Sequence, residues 1–66
     1  MANTIRISRK LIRLRGKRTQ EEVAQALGIT RSALSNYEQG VRVPKDDIKI
    51  KIARYYRTTV QEIFFE

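Results

Sequence analysis

The chain has 66 residues, room for one domain around one small core, with 14 Lys and Arg against 7 Asp and Glu, a formal charge of +7. It has neither Cys nor His, so disulfides are excluded, the usual ligands of a structural zinc are missing, and a nucleophilic Ser would have no His base. No apolar run approaches the roughly 20 residues of a membrane span, and "MANTIRISRK" lacks a secretory apolar core and cleavage site, so a soluble cytoplasmic protein without membrane, metal or cofactor is expected.

The cations are unevenly placed. Arg6, Arg9, Lys10, Arg13, Arg15, Lys17 and Arg18 all precede Glu21, the first acid, and such a balance favours a polyanionic partner. In the same region Ile7, Leu11 and Leu14 form one stripe of an amphipathic helix, predicted over Thr4 to Arg15 and stopped by Gly16. Thr19-Gln20-Glu21-Glu22 then reads as a capping box that opens a second helix, burying Val23, Ala24 and Leu27 and ending at Gly28. Thr30 can cap a third helix from Arg31 to about Gln39 that buries Leu34 and Tyr37. After the loop "GVRVPK", a fourth helix is predicted over about Asp46 to Tyr56. Thr59-Val60-Gln61-Glu62 is a second capping box and begins a short fifth helix.

One segment reads two ways. "IKIKI", Ile48 to Ile52, alternates with period two like a strand. A lone strand would have no partner in this sequence, whereas Asp46 and Asp47 favour a helix N-terminus. Ile48, Ile52, Ala53 and Tyr56 also share a helical face, so helix is the better reading. It leaves Ile50 pointing away from the core.

Gly28 interrupts an otherwise helical stretch, "TQEEVAQALGITRSALSNYEQG". With Gln20 as position 1, Ala24 is position 5, Gly28 position 9 and Leu34 position 15. Two short helices crossing through a tight turn need a small residue at the crossing, a positive φ at the corner and an apolar wedge between them. Ala24, Gly28 and Leu34 supply these in turn.

Across this segment Thr19, Gln20, Glu22, Ala24, Gly28, Ile29, Leu34, Glu38 and Gly40 resemble the pattern of the lambda-repressor/Cro-like helix-turn-helix family. "LIRLR" is similar to that family's first-helix motif and "TTVQEIF" to its closing helix, so the resemblance covers nearly the whole chain. It implies an all-α, compact five-helix DNA-binding domain over residues 1–66, with the helix-turn-helix in helices two and three. The short connection "GKR" departs from the family, which commonly has a longer one. The resemblance also implies a first-helix Arg paired with Glu38. The motif match points to Arg15, although an ungapped alignment would select Arg13.

The outer face of the third helix holds Ser32, Ser35, Asn36 and Gln39, with Arg31 at its border. The resemblance maps DNA base contacts onto Arg31, Ser32 and Asn36, with Ser35 beside them. Their chemistry agrees, since Arg can pair with guanine, Asn with adenine, and Ser is permissive. Phosphate contacts are expected from Gln20, whose matching residue in the family performs this role, and from Lys17, Arg18, Arg42 and Lys45. Arg6, Arg9 and Lys10 are expected to add general field. Lys49, Lys51, Arg54 and Arg57 are expected to form a solvated face. Phe65 and Ile50 lack an obvious inward place and are assigned to a homodimer interface.

The leading expectation is a sequence-specific, double-stranded DNA-binding transcriptional regulator, a homodimeric repressor on a palindromic operator. The alternative is an antitoxin-like or accessory subunit that shares the fold and works through an as yet unspecified protein partner. An RNA binder is disfavoured by the lack of an exposed aromatic platform, and an enzyme by the lack of a catalytic constellation.

Overall fold

The apolar stripe of the first segment folds as α1, Thr4–Arg15, in a computed structural model that describes residues 4–65. Ile7 and Leu11 are fully inside, while Leu14, expected beside them, is half-buried against the rim of the core. The second helix, α2, spans Gln20–Leu27, and the third, α3, spans Arg31–Glu38. Thr19 and Thr30 start them, each hydroxyl accepting a backbone N–H three residues on, at 3.0 Å from Glu22 and 3.0 Å from Ala33. Each bond satisfies one of the amide donors that a helix start leaves without an intrahelical partner. Further along, α4 covers Asp46–Tyr55 and α5 covers Val60–Phe64, the latter capped by Thr59 on the Glu62 amide at 3.1 Å. Five helices are thus present among the described residues, and no strand. None of the helices is long and apolar enough to cross a membrane.

The corner at Gly28 is a left-handed cap with φ +70°. Its N–H donates to Gln25 O at 3.1 Å, and the Ile29 N–H donates to Ala24 O at 3.0 Å. That double bond pattern turns the chain sharply while satisfying carbonyls at the helix end. Gly40 closes α3 in the same way at φ +77°, and a Cβ there would stand 3.3 Å from Thr4 O. The second glycine therefore serves two ends, the turn and the close approach of α1.

The core joins Leu11, Val23, Leu34, Ile52 and Ile63, all essentially inaccessible. Within it α2 lies against α3 and α4, α1 against α3 and α5, and α4 against α5. "IKIKI" is helical, with Ile52 buried, Ile48 partly buried and Ile50 47% exposed. Tyr37, expected to be buried by α3, is only partly so.

Two expectations about cations need correction. Arg6 does not simply add field, because its guanidinium donates to Ile63 O at 2.9 Å and ties α1 to α5. Lys49 is not part of a fully solvated face. Its ammonium lies 5.5 Å from the centroid of Phe64 and 4.9 Å from that of Phe65, and 3.7 Å from Asp46 Oδ1. In both cases the long apolar stem lets a charged head reach a partner across a small domain.

Candidate nucleic-acid interface

The exposed side of α3 begins where Thr30 has capped it. Arg31 and Ser32 stand in solvent on its first turn, and Ser35 and Asn36 are half-buried one turn later. Gln39 Nε2 donates to Ser35 Oγ at 2.9 Å, so these two side chains hold each other along the helix. Beneath them Leu34 is 1% exposed and anchors the helix to the core. Asn36 bears a second duty through its backbone, since its carbonyl accepts from the N–H groups of Val41 and Arg42. Fixing that carbonyl fixes the exit of the loop that carries Arg42.

Arg31 also borders an open groove with Arg15, Thr19, Gln20 and Glu21. The groove lies where α2 and α3 both begin, so backbone N–H groups and the positive ends of two helix dipoles are near it. Such a place favours an anionic oxygen. A row of Arg, Ser and Asn beside it can offer both donors and acceptors to base edges in a major groove.

Behind this surface a buried carboxylate organises three elements. Glu38 is 4% exposed. Its Oε2 accepts from Arg15 Nε at 2.8 Å and its Oε1 accepts from Gln20 Nε2 at 2.9 Å. The structure therefore brings Arg15 to Glu38, and it turns the Gln20 amide inward onto the same group. A second Arg15 nitrogen, Nη1, donates to Arg18 O at 2.8 Å. The short "GKR" turn is thereby stitched by the residue that ends α1.

The remaining site residues named from sequence are distributed around this centre. Lys17, Arg42 and Lys45 are exposed, and Lys45 precedes α4 without a side-chain cap. Arg18 is different. Its guanidinium lies 5.5 Å from the Tyr55 centroid and 5.9 Å from the Tyr56 centroid, and donates to Leu14 O at 3.3 Å. It clamps the end of α4 rather than reaching freely outward. Phe65 is 61% exposed and Ile50 47% exposed. No element brings these two to the α3 face.

Sequence reasoning missed Tyr56 as part of this centre. Its hydroxyl is buried without a hydrogen-bond partner among the described residues. Burial first, then the negative charge of Glu38, pushes its pKa from 10.0 up to about 12. The only sequence signal was its place on the inward face of the fourth helix, which marked it as apolar filling and said nothing of a carboxylate nearby.

The model of a family described as helix-turn-helix matches residues 10–63, from within α1 to within α5. No curated protein and no solved structure matches the chain.

Proposed function

The chain belongs to the lambda-repressor/Cro-like helix-turn-helix family of DNA-binding transcriptional regulators, and from that premise we propose that it is a cytoplasmic homodimeric repressor reading a palindromic operator. In this reading Arg31, Ser32, Ser35 and Asn36 contact base edges. Lys17, Arg42 and Lys45 contact phosphates with their side chains, and Gln20 does so through its backbone N–H at the start of α2, since its side-chain amide is held on Glu38. In this reading the chain meets DNA in the cytoplasm and represses by occupying its operator.

The observation that carries the reading is the exposed start of α3. Its first turn presents a long cation and a small hydroxyl over a groove shared with the start of α2, while its inner side is held by Leu34 and the Glu38 network. A rigid helix with a short polar outer surface is what entry into a major groove requires. The formal charge of +7 supplies the non-specific attraction on which base reading is superimposed.

Selection of bound sites from random duplex DNA tests the reading, with a two-fold symmetric consensus as the expected result. Arg31→Ala and Asn36→Ala should each cost about 1–3 kcal/mol on that site and relax preference at one base pair. Uniform weakening on all sequences would remove both side chains from base reading and place them on phosphate.

A further inference from the structure

A second charged surface lies on α1 and shares no residue with the α3 face. The helix "TIRISRKLIRLR" contains Arg6, Arg9, Lys10, Arg13 and Arg15 and no acid. Arg15 is committed to Glu38. The other four, with Ile5, line an open groove of about 370 Å³ on the outer side of α1. Arg9 and Arg13 are four residues apart, and Lys10 and Arg13 three apart, the spacings at which like charges on a helix repel. Among the described residues no carboxylate comes within ion-pair distance of Arg9, Lys10 or Arg13. The bond from Arg6 to Ile63 O holds one edge of the groove in place.

Apolar side chains accompany this charge. Ile5 is 64% exposed and Ile12 47% exposed. Phosphates gain nothing from isoleucine, so a second duplex would use only half of the surface. A bilayer is a poor match too, because the main apolar stripe of α1, Ile7 and Leu11, is sealed in the core. A partner that carries carboxylates beside apolar side chains would use all of it.

We propose that the outer face of α1 docks an acidic amphipathic helix of another protein, with carboxylates on Arg9, Lys10 and Arg13 and apolar side chains against Ile5 and Ile12. The charge complementarity is one-sided and strong, since this helix offers only cations. Docking there relieves repulsion within α1 and covers two isoleucines, and it leaves the α3 face open. The surface can therefore be occupied while DNA is bound.

The test is a titration of the isotope-labelled full chain, followed by amide resonances, with three probes. These are a short synthetic helical peptide with one Leu face flanked by Glu, a scrambled peptide of the same composition, and a short random-sequence DNA duplex. The helical peptide should shift resonances from Ile5 to Arg13 and bind roughly tenfold or more tightly than the scrambled one, about 1.4 kcal/mol. Ile5→Ser with Ile12→Ser should erase that preference, and Arg9→Glu with Arg13→Glu should abolish peptide binding. All four positions are at the surface, and the wild-type titration is decisive even if a variant misfolds. Equal affinity for the scrambled peptide, or peptide shifts confined to α3, would overturn the proposal. Stronger shifts of α1 by the duplex than by the helical peptide would overturn it in favour of nucleic acid. Operator binding is scored separately through α3, so failure of the DNA reading and failure of this one are distinguishable.

Discussion

Arg57 sits at φ 57°, the left-handed position at the end of α4. Its N–H donates to Arg54 O and the Thr58 N–H donates to Ala53 O, the same closure that glycine makes at the ends of α2 and α3. An L-residue in that conformation costs about 1–2 kcal/mol, part of which a glycine returns as greater freedom of the unfolded chain. Arg57→Gly should therefore stabilise the domain by about 0.5–1 kcal/mol in urea unfolding. At Gly28 the opposite exchange is expected to hurt. A Cβ there meets nothing within 4 Å, so Gly28→Val should lose about 1–3 kcal/mol through backbone strain alone. Gly28→Asn should lose less, because Asn tolerates the left-handed region. Equal losses for Val and Asn would mean that strain at the corner is not the cause. Tyr56 gives a pH signature. Its pKa, about 12 in the folded chain against an ordinary 10.0, means that the folded state holds the phenolic proton more tightly than the unfolded one. The associated stability is complete below the unfolded value and is lost as pH rises from about 10 to about 12. Tyr56→Phe should flatten the decline of Tm across that window relative to wild type. At neutral pH the same variant should be no less stable, since the hydroxyl it removes has no partner among the described residues. Parallel declines of Tm in the two proteins would exclude Tyr56 as the titrating group.

Between elements, the Glu38 carboxylate is the joint that holds α3 against the end of α1 and the start of α2. Both of its oxygens are used, by Arg15 and Gln20. A charge in that position is tolerable only while its donors stay. Arg15→Met should cost about 3–5 kcal/mol, because Glu38 is left buried without its cation. Adding Glu38→Gln to that variant should recover part of the loss by removing the stranded charge. Chemical denaturation of the single and double variants measures this directly, and additive losses would show that the two side chains act independently. The same joint bears on the proposed recognition, because the helix that carries Arg31 and Asn36 is positioned through it. A looser joint should weaken operator binding more than non-specific binding.

Among the large apolar side chains that the molecule leaves outside are Phe65, at 61% exposure, and Ile50, at 47%. Lys49 covers one side of the Phe65 ring, its ammonium 4.9 Å from the centroid. A dimer that reads a palindromic site must hold its two α3 helices about 34 Å apart, one helical turn of DNA. The proposed homodimer centres on α5 with Phe65 in the middle. Phe65→Glu should give a folded monomer that keeps weak, salt-sensitive DNA binding and loses tight binding to a palindrome. Loss of a buried Phe is worth about 3–5 kcal/mol in a core, enough here to separate subunits. Sedimentation of the wild type is the controlling measurement, and a monomer that binds DNA without cooperativity would refute the dimer.

Much of this architecture is readable from short stretches because its causes are short-ranged. A Thr hydroxyl caps the amide three residues away, a glycine permits its own φ, and an apolar stripe repeats every three or four residues. These local facts were enough to mark α1 to α5, the corner at Gly28 and the polar outer row of α3. Even "IKIKI", whose alternation imitates a strand, was decided by the lack of any segment to pair with. The fates of the cations were not local. Arg6 bonds a carbonyl 57 residues away, Arg18 lies over Tyr55 and Tyr56, and Lys49 covers Phe65. In sequence these look like Arg9 or Lys17, since a long charged side chain carries no mark of the partner it will find. The position of Tyr56 beside Glu38 was likewise invisible. By itself the sequence determined which residues would be helical and where the chain would turn. Only the tertiary structure decided which charges hold the fold and which stand free at the surface, because that depends on distances between residues remote in the chain.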